Sequence, residues 1–144
     1  MKKFAFRLER LLQWRVIEKE HEEGRLQALF GELERLDAAR ATLERNAEAA
    51  EKSVVRPDVL TEELLALSGY RRFTADQKLK LLRLRADLET RIDAQRRLLV
   101  EAERKVEALT QMRDEKKATW RGQADKEQEE LVSELVIGRW GRHV

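Results

Sequence analysis

Apolar residues recur along the first part of the chain at alternating steps of three and four: Ala5, Leu8, Leu12, then Leu26, Leu29, Leu33, Leu36, then Leu43, Ala47, Ala50, Val54. The same register passes through Arg15, Lys19, Glu22 and Arg40. Steps averaging ~3.5 residues keep one stripe of a helix turned toward a partner helix, so this spacing predicts a heptad seam with polar interruptions. A second seam runs through Leu81, Arg85, Leu88, Ile92, Gln95, Leu99, Ala102, Val106 and Leu109. Between the two lies the chain's one proline, in Val54-Val55-Arg56-Pro57-Asp58. Proline cannot donate to a helical ladder and pushes its predecessor out of the helical region. The pattern therefore predicts helix one over about 3–55, a turn over about 55–60 and helix two over about 59–137. Asp58 or Thr61 is placed to cap the second helix, and Ser68-Gly69 is a candidate kink near its start.

Folding the chain at Pro57 brings the seams together: Leu36 would meet Leu81, Leu29 would meet Leu88, Leu26 would meet Ile92, Glu22 would meet Gln95, and Leu8 would meet Leu109. A polar position in one seam then faces a polar position in the other. The expected fold is all-α, a long antiparallel two-helix coiled-coil hairpin with a longer second helix, forming a single domain over 1–144. At ~1.5 Å per residue, a first helix of Phe4 to Val54 would be a rod of roughly 75 Å. Residues beyond about Arg113 find no partner on the first helix, so Asp114 to Ile137 is expected to project.

Composition agrees with a thin molecule. In 144 residues, 40% are charged, 6% are aromatic and one is proline, which is not the recipe of a wide globular core. The absence of cysteine excludes a disulfide framework and thiolate metal sites. No apolar run approaches the ~18 residues of a membrane span. No apolar stretch follows Met1-Lys2-Lys3, so no secretory signal is expected and a cytoplasmic location is the default. Lys and Arg number 30 against 28 Asp and Glu, a net charge of +2 that gives no strong global field.

Residues for catalysis are missing from the pattern. His21, in His21-Glu22-Glu23-Gly24, lacks the second histidine four residues on that a zinc-binding helix uses, and His143 is terminal. Gly24, Gly31, Gly69 and Gly122 are isolated rather than gathered in a phosphate loop. A two-helix rod offers no cleft in which a carboxylate could be tuned. No catalytic residue, metal or cofactor is expected.

Features that a two-stranded seam does not need are more informative. Within the first turns, Phe4, Phe6, Leu11, Trp14, Val16 and Ile17 all lie off the seam register, and a simple hairpin would leave them wet. A clustered apolar end of this kind marks a partner interface, the reading we favour. The alternative is that the tail folds back to cover it with Leu131, Val132, Leu135, Val136, Ile137 and Trp140. Charge is also polarised. Arg71, Arg72, Lys78, Lys80, Arg83 and Arg85 stand against Asp76, while Asp125, Glu127, Glu129, Glu130 and Glu134 stand against Lys126. Either run serves equally as a solvated helical face. Acids near a helix C-terminus oppose its dipole, so the acidic tail is expected to fray without a partner.

The opening Phe4-x-Phe6-Arg7-Leu8-x-x-Leu11-Leu12-x-x-Arg15 resembles the start of the FliJ family, the small coiled-coil component of the flagellar type III export apparatus. Tyr70-Arg71-Arg72-Phe73 is similar to the same family, as is Ala102-x-x-Lys105-Val106-Glu107-x-Leu109 leading into Arg113-Asp114-Glu115-Lys116-Lys117-x-x-Trp120. The resemblance implies a non-enzymatic stalk that engages the hexameric export ATPase, links it to the membrane export-gate protein and handles export chaperones, at the cytoplasmic face of the flagellar base. It implies an ATPase-binding end made of Phe4, Phe6, Leu8, Leu11, Leu12 and Trp14 with Arg113 and Trp120. The family's gate-contacting segment maps onto Tyr70, Phe73, Gln77, Lys80 and Leu84. The stalk protein of virulence-type secretion systems is the nearest alternative relative. From other classes, Arg71 to Arg85 could bind nucleic acid or another anionic surface, or the chain could be a purely structural homodimer. The resemblance makes nucleic acid an unexpected partner.

Overall fold

The computed structural model describes residues 3–142 and is all-α. It contains two helices, α1 (Glu9–Ser53) and α2 (Thr61–Arg142), with no strand among the described residues. Glu9 in the first turn of α1, Lys52 in its last turn, and Glu62 and Glu63 in the first turn of α2 all complement the helix dipoles.

The helix ends differ from those the sequence predicts. Helix α1 begins at Glu9 rather than near residue 3, because Phe4-Ala5-Phe6 is irregular and Arg7-Leu8 forms a turn. The Phe6 carbonyl accepts from the Glu9 N–H at 3.1 Å, and the Leu8 carbonyl accepts from the Leu12 N–H at 2.9 Å, which starts the ladder. Helix α2 starts at Thr61 with neither proposed residue capping it. The Leu60 carbonyl takes the Glu63 and Leu64 N–H groups at 3.1 and 3.3 Å, and Asp58 pairs with Arg56 at 3.6 Å. Finally, α2 runs unbroken through Ser68-Gly69 and past Ile137 to Arg142, which rules out a tail that folds back on itself. The acidic residues from Asp125 to Glu134 thus lie inside the helix, beyond the last turn where the dipole acts, and the expected reason for fraying falls away.

The chain divides into two compact units: residues up to Glu20 together with those from Val100 onward, and His21–Leu99. In the second unit, Leu29, Leu88 and Ile92 form a buried cluster against which Leu26, Phe30, Leu33 and Leu36 pack. Each such side chain removed from water contributes on the order of 1.5–3 kcal/mol. Beside this cluster Gln95 is buried, and its amide donates to the Glu22 carbonyl at 3.1 Å and to the Glu22 carboxylate. The expected Leu29–Leu88 and Glu22–Gln95 encounters are therefore present. Ion pairs join the helices along the rim: Arg71 to Glu51 at 2.6 Å, Arg91 to Glu32 at 3.7 Å, and Arg85 to Asp37. The Arg96 guanidinium lies 5.5 Å over the Phe30 ring.

In the first unit Phe6, Leu12, Ala102 and Ala124 are buried, with Leu8, Val106 and Leu109 half-buried. Arg113 reaches Glu9 at 3.6 Å. Every predicted seam position on α2 from Leu81 to Leu109 is buried or half-buried, whereas Ala5 and Arg40 of the first seam are exposed. The buried face of α2 also continues where no seam was predicted, through Leu67, Tyr70, Thr74 and Gln77 upstream and Arg113, Trp120 and Ala124 downstream.

Candidate partner-binding site

The residues of the apolar end all belong to the first unit, and the structure sorts them into support and surface. Phe6 and Leu12 are buried and Leu8 is half-buried. Phe4 is half-buried, its ring tilted 54° against Trp120 with centroids 6.0 Å apart. Such a pair contributes about 0.5–1.5 kcal/mol beyond its area. The expectation that Phe4 and Phe6 lie wet beside the seam is thus corrected. A helix would carry Phe6 some 200° around from Leu8, but the irregular lead-in frees its side chain to turn inward. Val16 is half-buried as well.

The exposed remainder is Leu11, Trp14 and Ile17, at 39%, 56% and 62% of full accessibility. Their spacing of three makes one ridge on the outer side of α1. Trp14 is held by the Arg15 guanidinium, 4.9 Å from the ring centre, and Arg15 is itself fixed by Glu18 at 2.9 Å. Around the edge of this ridge, Glu9, Leu12, Gln13, Val16, Ile17, Thr110 and Arg113 line an open groove. The Arg113 side chain, expected at the interface, is partly engaged by Glu9.

The second candidate set lies in the other unit and does not form one patch. Tyr70 is half-buried, its ring 6.2 Å from that of Phe73, and lines a groove with Ala50, Val54 and Leu67. Phe73 and Lys80 are exposed and Gln77 is half-buried. Leu84 is 53% exposed and belongs to a separate groove with Leu36 and Leu88.

The basic run from Arg71 to Arg85 is less available than its sequence suggests. Arg71 is paired with Glu51, and Arg85 with Glu89 at 3.1 Å and with Asp37. The hydrogen bond from Arg71 holds the Glu51 carboxyl below its ordinary range, and the same contact raises Arg71. Arg85 is raised by its hydrogen bond to Glu89 and then by the Asp37 charge. Arg85 falls on the predicted seam of α2, so its turn toward α1 follows the period, whereas nothing in the pattern signals the Arg71–Glu51 pair.

No three His, Cys, Asp or Glu side chains gather in a metal-binding arrangement among the described residues. His21 is exposed and His143 lies outside the described residues. Among the described residues no helix is long and apolar enough to cross a membrane. Comparison with family models, curated proteins and solved structures finds no match for the chain.

Proposed function

We propose that this chain is a non-enzymatic stalk of the FliJ type. In this reading it is an antiparallel coiled-coil hairpin whose apolar end binds the hexameric flagellar export ATPase at the cytoplasmic face of the flagellar base. The order of contacts supports the hairpin. Within the second unit, Glu22, Glu32, Asp37 and Glu51 pair with Gln95, Arg91, Arg85 and Arg71, so positions fall along α2 as they rise along α1. Within the first unit the same sense relates Phe4 with Trp120 to Glu9 with Arg113. In the same reading the exposed Phe73, Lys80 and Leu84 of the second set would contact the membrane export gate, and export chaperones complete the proposed partners.

The observation that carries the reading is the ridge of Leu11, Trp14 and Ile17, apolar and wet beside Phe4, Phe6, Leu8, Leu12 and Val16, which are buried or half-buried. An exposed Trp backed by a rigid support is among the groups that dominate protein interfaces, and the flanking Leu11 and Ile17 add apolar area that a partner can bury. Anchors of this kind contribute about 2 kcal/mol or more each, so replacing all three by serine is expected to weaken binding to the export ATPase by roughly a thousandfold or more. Isothermal titration of the ATPase with wild type and with Leu11→Ser/Trp14→Ser/Ile17→Ser measures this. Helical circular dichroism should stay unchanged, since surface substitutions rarely move stability far. Equal affinity of the two proteins would remove the ridge from the interface.

A further inference from the structure

Midway along the second unit, α2 carries a second run of apolar residues at steps of three and four, on a side that α1 does not cover and the stalk reading does not use. Ala75, Leu79, Leu82 and Ala86 are all exposed, the two leucines at 47% and 57% of full accessibility. At ~100° per residue the four share an arc of roughly 60°, and no other residue from Arg72 to Glu89 falls inside it. An apolar arc this narrow has the width of a coiled-coil seam. Phe73, Lys80 and Leu84 fall on the far side of the helix from it, so a partner on this seam leaves the proposed gate contacts free.

The order of the residues selects that partner. The run Ala75-x-x-x-Leu79-x-x-Leu82-x-x-x-Ala86 reads the same in both directions about its midpoint. A second copy laid antiparallel therefore matches Leu79 with Leu82 and Ala75 with Ala86, and by symmetry does so twice. One turn outward, the same alignment sets Arg72 of one chain against Glu89 of the other, and on the edge away from α1 it sets Asp76 against Arg83; all four residues are exposed. A parallel pairing in register would instead stack Arg72 on Arg72 and Glu89 on Glu89. On the edge nearest α1, the antiparallel alignment brings Lys78 toward Arg85 of the copy, but Arg85 is already met within its own chain by Glu89 at 3.1 Å and by Asp37. We propose that Ala75, Leu79, Leu82 and Ala86 form a self-complementary face through which two copies of this chain associate antiparallel. Two leucines and two alanines from each chain bury less than a standard interface, so the pair belongs to the weak, transient class.

Sedimentation equilibrium of the full chain, from micromolar to several hundred micromolar, reads the association. Wild type is expected to rise toward twice the monomer mass, and Leu79→Ser/Leu82→Ser to weaken association by about tenfold or more. Asp76→Arg alone should also weaken it, because like charges then face each other twice across the seam. Asp76→Arg/Arg83→Glu exchanges the two charges within each chain and should return association to within about threefold of wild type, a rescue that loss of helicity does not mimic. Direction is read by crosslinking. Chains with Ala75→Cys mixed with chains with Ala86→Cys should form disulfide-linked dimers on oxidation, and neither should alone, because antiparallel pairing holds like positions roughly 16 Å apart along the axis. The proposal is overturned if the chain stays monomeric across that range, or if the serine variant associates as wild type does. It is equally overturned if the exchanged charges fail to restore association, or if Ala75→Cys chains crosslink with one another.

Discussion

At the scale of single residues, burial decides more than type. Thr74 is 5% exposed and its hydroxyl has no hydrogen-bond partner. Thr90, Thr110 and Thr119 return theirs to the carbonyl four residues back. A buried unpaired hydroxyl costs about 1–3 kcal/mol, and valine has nearly the same shape, so Thr74→Val should raise stability by about 1 kcal/mol in denaturant melts. A drop in stability would show that the hydroxyl is satisfied. Glu51 gives a pH-dependent counterpart. Its carboxyl is depressed by Arg71, so its contribution is fully present above the unfolded-state value and is lost as pH falls through the lower folded value. The stability gap between wild type and Glu51→Gln should therefore be small at neutral pH, close in acid below about pH 4, and shrink with salt. A gap that persists in acid would assign the effect to packing. Neither feature was legible in the sequence, because nothing in the local pattern distinguishes Thr74 from an exposed threonine or Glu51 from its acidic neighbours. Phe6 shows the opposite failure, since a helical reading put it on the wet side.

At the scale of elements, period was a good guide where the chain is regular. The seam from Leu81 to Leu109 and the Leu29, Leu88 and Ile92 cluster follow directly from steps of three and four. Pro57 placed the break between helices, although the ends moved to Ser53 and Thr61. The start of α1 was not legible, because Phe4 to Phe6 is held by packing on α2 rather than by its own propensity. The extent of α2 was misjudged for a related reason: Gly138 and Gly141 lower helix propensity without a proline to stop the helix. The hairpin reading makes its own prediction. With cysteines at Leu29 and Leu88, oxidation should give an intramolecular disulfide and a faster-migrating monomer on a gel. Disulfide-linked dimers as the main product would indicate a parallel pair of chains.

For the whole molecule, the composition pointed to partners rather than chemistry, and the apolar end was visible from the first residues. What the sequence could not show is the division of that end into a packed base and the wet ridge of Leu11, Trp14 and Ile17. It also hid the pairing that withdraws Arg71 from the basic run; with Arg85 paired as well, Arg72, Lys78, Lys80 and Arg83 are left against Asp76. The stalk reading and the anionic-surface reading therefore place function on different side chains, and one assay separates them. ATP hydrolysis by the export ATPase is measured against increasing amounts of wild type, Leu11→Ser/Trp14→Ser/Ile17→Ser and Arg72→Glu/Arg83→Glu. The stalk account predicts that wild type and the charge reversal stimulate hydrolysis alike while the serine variant does not. Stimulation by the serine variant at the wild-type level, with loss in the charge reversal, would contradict it.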